Sequence, residues 1–148
     1  LSERDLQQLT SFGREQNVRV YLQSGGPNTI VPLENKGEPL TYRIRASGDT
    51  IEFLATDFIQ VNDAANQEIV DSVLHMLALT QTDRVLELFC GLGNLTLPVA
   101  SHVDRVVGLD YDEQLVRRGK DNALFNHKDN DELIQADLTE APMGERWV

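Results

Sequence analysis

The stretch Leu88-Phe89-Cys90-Gly91-Leu92-Gly93-Asn94 closes a run of β-forming residues and opens a helical pattern. Glycine adopts backbone angles closed to other residues, so Gly91 and Gly93 allow a sharp turn and a close ligand approach. Amides at the start of the following helix would face that ligand. Asp110 stands nineteen residues past Gly91, directly after the next β-forming run, where a carboxylate can accept hydrogen bonds from ribose hydroxyls. Asp137 follows a third such run and is placed to meet an adenine edge. The set suits an adenosine-containing cofactor. The third glycine of the dinucleotide fingerprint is missing, because Thr96 occupies its position, and a pyrophosphate would lose its close helix approach. S-adenosylmethionine, whose sulfonium amino acid makes no such demand, is expected ahead of NAD. The plainer alternative is a structural turn beside solvated aspartates.

Other reactive residue types are less suggestive. Cys90 sits near an expected helix start, which favours a thiolate, but no His or Asp lies close in sequence to act as base. The net acidity of the chain also opposes ionisation, so Cys90 is not expected to be a nucleophile. His75, His102 and His127 are scattered and lack the close spacings of zinc or iron–sulfur sites, so no metal is expected. Arg117, Arg118 and Lys120 form a basic cluster that reads as a solvated helix face. With 24 acidic and 13 basic side chains in 148 residues, the formal charge is −11, which argues against broad electrostatic attachment to nucleic acid.

The surrounding pattern supplies the scaffold. Leu6, Leu9 and Phe12 have helical spacing behind a Ser2/Asp5 capping box. Residues 18–23 and 29–31 read as a hairpin around Gly25-Gly26-Pro27-Asn28, and residues 40–45 and 50–54 as a second around Gly48-Asp49. From Asp63, expected to cap a helix, Ile69, Val70, Val73, Leu74 and Leu77 share one face. Strands over 84–88, 105–109 and 132–136 then alternate with helices over 94–101 and 112–126, the pattern of an α/β parallel sheet. A boundary near Thr56 separates a β-hairpin-rich segment, 1–56, from a nucleotide-binding part, 57–148. Three strands are fewer than a doubly wound domain uses, and residues 144–148 have no tapering polar tail, so a truncated domain is expected. No apolar run nears the roughly 18 residues of a membrane helix. One cysteine and an N-terminus without signal-peptide layout point to a reducing cytoplasm.

Three runs carry a family resemblance: Asp57-Phe58-Ile59-Gln60-Val61-Asn62, then Asn66-Gln67, then Leu86-Glu87-Leu88-Phe89-Cys90-Gly91-Leu92-Gly93-Asn94-Leu95-Thr96-Leu97-Pro98. Together they resemble the RNA uracil-5-methyltransferases. Tyr21-Leu22-Gln23-Ser24-Gly25-Gly26-Pro27 resembles the branch that methylates uridine in 23S ribosomal RNA. The resemblance covers nearly the whole chain. It implies the N-terminal half of a class I S-adenosylmethionine-dependent methyltransferase domain, Rossmann-like, with an iron–sulfur cluster only in a preceding region of the intact protein. By motif match it implies cofactor contacts at Gln60, Phe89, Asn94 and Asp110, with Gly91 in the turn and Asp137 as a further position. Many relatives carry Glu where Asp110 stands. In such enzymes a cysteine thiolate adds to C6 of uracil so that C5 can attack the methyl donor. A carboxylate then removes the C5 proton. That cysteine belongs to a Ser-Cys-Asn-type motif expected beyond Val148, so this chain alone is expected to be inactive and to bind RNA weakly. Ribosomal RNA is the implied partner of the intact protein, and no partner protein is implied. A transfer RNA uracil-5-methyltransferase, an NAD-binding oxidoreductase domain and a noncatalytic binding module remain the alternatives.

Overall fold

A computed structural model describes residues 1–34 and 39–139; the expected abrupt end at residues 144–148 lies outside the described residues. The chain forms two compact units, one of Leu1–Leu40 with Leu54–Phe58, the other of Thr41–Phe53 with residues from Ile59 onward.

In the first unit, α1 (Glu3–Glu15) starts at the anticipated capping box. The Ser2 amide donates to Asp5 Oδ2 at 2.8 Å and the Asp5 amide donates to Ser2 Oγ at 3.3 Å, so two otherwise unpaired donors are satisfied. Strands β1 (Tyr21–Gln23) and β2 (Ile30–Pro32) pair antiparallel, with Leu22 opposite Val31. The Thr29 hydroxyl closes the turn between them, accepting from the Gly25 amide at 2.9 Å and donating to Gly26 O at 2.8 Å.

The second unit carries the expected α/β pattern. Strands β3 (Leu40–Arg43) and β4 (Thr50–Phe53) form a two-stranded sheet. Helix α2 (Asp63–Leu77) follows. Its cap is Asn62 rather than Asp63: the extended Asn62 accepts from the Ala65 amide at 3.1 Å, and Asp63 is already helical. Val70 on this helix is fully buried, whereas Ile69 and Leu77 are 47% and 51% exposed, so the buried stripe is narrower than the periodicity predicts.

Next come β5 (Arg84–Leu88), α3 (Thr96–Ala100), β6 (Arg105–Asp110), α4 (Glu113–Phe125) and β7 (Asp131–Gln135). The strands lie parallel in the order β5-β6-β7, with Leu86 beside Val107 and Val107 beside Glu132. Central β6 is buried from Val106 to Leu109, as a strand flanked on both edges should be. Helix α4 begins where expected, its Asp112 cap accepting from the Gln114 amide at 2.8 Å and the Leu115 amide at 3.2 Å. Helix α3 is shorter than the 94–101 expected, because residues 91–95 are taken up by consecutive turns.

The β3/β4 sheet belongs to this second unit rather than to the segment before Thr56 with which the sequence reading grouped it. Ile44 and Ile51 are fully buried in one cluster with Val70, Leu97, Val116 and Leu133. Amide side chains complete the attachment. Gln67 accepts from the Arg45 amide at 2.7 Å and donates to Arg43 O at 2.8 Å. Asn126 accepts from the Thr50 amide and donates to Thr50 O, both at 2.8 Å. Asn122 accepts from the Glu52 amide at 2.9 Å and donates to Glu52 O and Leu92 O, each at 3.2 Å. These amides satisfy backbone groups that a two-stranded ribbon would otherwise leave unpaired.

Asn122→Ala leaves the Glu52 amide without its partner, and the expected loss is about 1–3 kcal/mol of unfolding free energy. Urea denaturation measures it; a loss under about 0.5 kcal/mol would refute the anchoring role of this amide.

Candidate functional site

The carboxyl ends of the parallel strands collect the candidate residues, the location at which open α/β sheets bind ligands. Phe89 and Gly91 follow β5, Asp110 ends β6, and Asp137 lies two residues past β7. Three loop residues adopt the left-handed region: Phe89 at φ 63°, Gly91 at 53° and Gly93 at 90°. For Phe89 that conformation is strained, and its ring is 74% exposed. A Cβ added at Gly91 would meet nothing within 4 Å, so open space lies directly beside this turn. At Gly93 an added Cβ would collide with Leu97, so the glycine also serves packing.

Asp110 holds the loop from across the sheet. Its Oδ2 accepts from the Gly91 amide at 2.9 Å and its Oδ1 accepts from the Asp112 amide at 3.0 Å. A carboxylate oxygen has two acceptor sites, so each oxygen retains one for a ligand. The structure thus joins Gly91 to Asp110, two residues linked in the sequence only by spacing. Asp137 is exposed and accepts from the amide and hydroxyl of Thr139 at 2.9 and 2.7 Å. Gln60 is exposed in the irregular stretch between β4 and α2. Asn94 is partly buried and tied into a side-chain network: its Oδ1 accepts from the Tyr42 hydroxyl at 2.9 Å and from Asn66 Nδ2 at 3.0 Å.

Sequence reasoning passed over Glu87. Its side chain accepts from the Thr96 hydroxyl at 2.5 Å, and Thr96 is fully buried. Burial pushes the Glu87 carboxyl up to about 7, a rise that the Thr96 hydrogen bond opposes and the Asp110 charge increases. An acidic residue inside the apolar run Val85-Leu86-Glu87-Leu88 was the available signal. Thr96, noted only for standing in place of a third glycine, is the partner of this acid.

Cys90 is 4% exposed, and its thiol is pushed up to about 12, first by burial and then by the nearby Glu87 and Asp110 charges. It is a packed thiol rather than a nucleophile. A Cβ at Gly108 would come within 2.9 Å of Cys90 Cβ, which shows how closely β6 approaches the loop. His75, His102, His127, Arg117 and Lys120 are exposed, while Arg118 is half-buried and so departs from the expected solvated face. Among the described residues no group of three or more His, Cys, Asp or Glu side chains is arranged to hold a metal ion, and no helix is long and apolar enough to cross a membrane.

Comparison with known proteins defines the class first. The fold is that of Rossmann-like methyltransferases: the Pyrococcus abyssi tRNA (uracil-54, C5)-methyltransferase, solved with S-adenosyl-L-homocysteine, superposes with a TM-score of 0.64 at 20% identity. That match covers 84% of this chain and 32% of the archaeal one. A sequence profile described as tRNA (Uracil-5-)-methyltransferase matches residues 3–147, and the chain belongs to that family. Relatives named 23S rRNA (uracil(1939)-C(5))-methyltransferase RlmD are similar along the entire chain. That of Stenotrophomonas maltophilia is 40% identical over 148 residues, and that of Xanthomonas oryzae pv. oryzae is 42% identical over the same length. This chain spans 33% of the length of each.

The raised Glu87 carboxyl sets a pH dependence of stability. Its proton is held more tightly in the folded state than in the unfolded chain, so its contribution falls as pH rises from about 4.5 to about 7 and is flat above. Glu87→Gln removes that titration and still offers an oxygen to Thr96. Thermal melts at pH 5 and pH 8 should show the variant gaining on the wild type at the higher pH. An equal difference at both pH values would contradict a buried, titrating Glu87.

Proposed function

We propose that this chain is the S-adenosylmethionine-binding portion of a 23S rRNA (uracil-5-)-methyltransferase, which transfers a methyl group to C5 of a uridine. The observation that carries the reading is the glycine turn clasped by Asp110 at the carboxyl end of a parallel sheet, in a chain of this family. Identity of 40–42% to ribosomal enzymes along the entire chain favours ribosomal over transfer RNA.

The residues present fit the cofactor. Gly91 leaves open space for it, the free acceptor sites of Asp110 suit ribose hydroxyls, and the exposed Phe89 ring offers an apolar surface. Asn94, Gln60 and Asp137 complete the proposed contacts. Bound S-adenosylmethionine supplies an electrophilic methyl group on its sulfonium. This chain's part is to bind and orient that donor. Cys90, buried and neutral, does not activate uracil; the thiolate that adds to C6 and the base that removes the C5 proton are assigned to the rest of the intact enzyme. An iron–sulfur cluster is assigned to a region of the intact enzyme outside this chain. The target base is taken out of its stack before reaction. With a charge of −11, the isolated chain should bind ribosomal RNA weakly. The intact enzyme is assigned to the cytoplasm. An NAD-binding role is disfavoured because Thr96 fills the third-glycine position with a buried side chain bonded to Glu87.

Calorimetry on the full-length enzyme should detect S-adenosylhomocysteine. Asp110→Ala should weaken that binding by about 5- to 150-fold, the equivalent of about 1–3 kcal/mol. Binding of NADH with none of S-adenosylhomocysteine would end this reading.

A further inference from the structure

Two carboxyl groups approach the glycine turn from different strands. Asp110, at the end of β6, accepts from the Gly91 amide at 2.9 Å. Glu87 of β5 lies opposite Gly108 of β6, and its Oε2 accepts from the Thr96 hydroxyl at 2.5 Å. A Cβ at Gly108 would lie 3.3 Å from Thr96 Oγ1 and 3.0 Å from Cys90 Sγ, so the partner of Glu87 and the first residue of the turn share one narrow space over that glycine. The charges of Glu87 and Asp110 both act at Cys90. Gly91, which borders the open space, is the next residue, one Cα–Cα step of about 3.8 Å along the chain. A charge acts through space in every direction, so Glu87 needs no aimed contact to influence a cation bound there.

Glu87 lacks a positive partner. The Thr96 hydroxyl favours its ionised form, the Asp110 charge opposes it, and no cation is among the groups acting on it. Helix α3, which supplies Thr96, carries no charged residue, and the loop adds the titratable but neutral Cys90. Burial, with a smaller push from Asp110, raises the Glu87 carboxyl to about 7. A cation at the turn would reverse that push. S-adenosylmethionine and S-adenosylhomocysteine share a zwitterionic amino-acid end and differ by one methyl group and the positive charge on sulfur.

We propose that Glu87 is a proton-linked counter-charge that distinguishes methyl donor from demethylated product: it ionises, giving its proton to solvent, when the donor's sulfonium charge is bound at the turn, and takes a proton back when the neutral thioether is left. The inference rests on the S-adenosylmethionine reading of the loop and adds a source of donor-over-product preference. Its sign is fixed. The protonated acid prevails below about 7, so donor binding tightens as pH rises through that value, and product binding has no such dependence on Glu87.

Calorimetry on the full-length enzyme in buffers of different ionisation heat counts the protons exchanged. At pH 6.5 S-adenosylmethionine should release about half a proton, and S-adenosylhomocysteine none. Between pH 5.5 and 7.5, below the titration of the ligands' own α-amino group at about 7.7–8.0, the preference for donor over product should rise about fivefold, as a one-unit fall of the Glu87 carboxyl on donor binding requires. Glu87→Gln should abolish both the release and the rise. Thr96→Val, which removes the hydroxyl that favours the carboxylate, should move the rise to higher pH, and it serves where Glu87→Gln fails to fold. Equal proton release with the two ligands, no release with S-adenosylmethionine, or a rise that persists in Glu87→Gln would each overturn the proposal. A wild-type enzyme that binds neither ligand would instead defeat the cofactor reading itself, and this inference with it.

Discussion

The hydrogen bond from the Gly91 amide to Asp110 Oδ2 is the constraint on which the site depends. It joins the turn leaving β5 to the end of β6, and the second oxygen of the same carboxylate reaches the Asp112 amide ahead of α4. One side chain therefore sets the relation between two strand ends and a helix start. Gly108 and Gly119 make the approach possible: a side chain at Gly108 would strike Cys90, and one at Gly119 would lie 3.2 Å from Gly91 O and strike Leu133.

A second constraint is the closure of the β3/β4 ribbon. An isolated two-stranded ribbon is marginal in water, and this one is held by side-chain amides, Gln67 on α2, Asn122 on α4 and Asn126 at the C-terminal cap of α4. Each offers a carbonyl and an amine to one strand residue or to its neighbours, as a further strand would. Asn122 also reaches Leu92 O in the glycine loop, and Tyr42 reaches Asn94, so the ribbon is part of the framework that shapes the site.

Charge around the loop is arranged against covalent chemistry there. Glu87 and Asp110 both disfavour a Cys90 thiolate, and burial does so more strongly. The acidity of the chain is, at this edge of the sheet, compatible with a cationic ligand.

Much of this protein was legible before any coordinates. Glycines in a strand-to-helix turn, an aspartate at a fixed distance and the alternation of β and α patterns are local signals, written in residues close together along the chain. They yielded the α/β class, the element order and the residues Gly91 and Asp110 as a pair. Cap and helix limits shifted by one or two residues, as at Asn62 and Thr96, where neighbouring polar side chains or turns compete for the same backbone amides. What only the tertiary structure decided depends on contacts between distant segments: the β3/β4 ribbon joining the later unit through Ile44, Ile51 and Asn122, the burial that raises Glu87, and the Tyr42–Asn66–Asn94 network. Hydrogen bonds spanning 28, 52 and 70 residues leave no periodic trace, because a single polar side chain in a helix or strand reads as solvent-facing until packing supplies its partner.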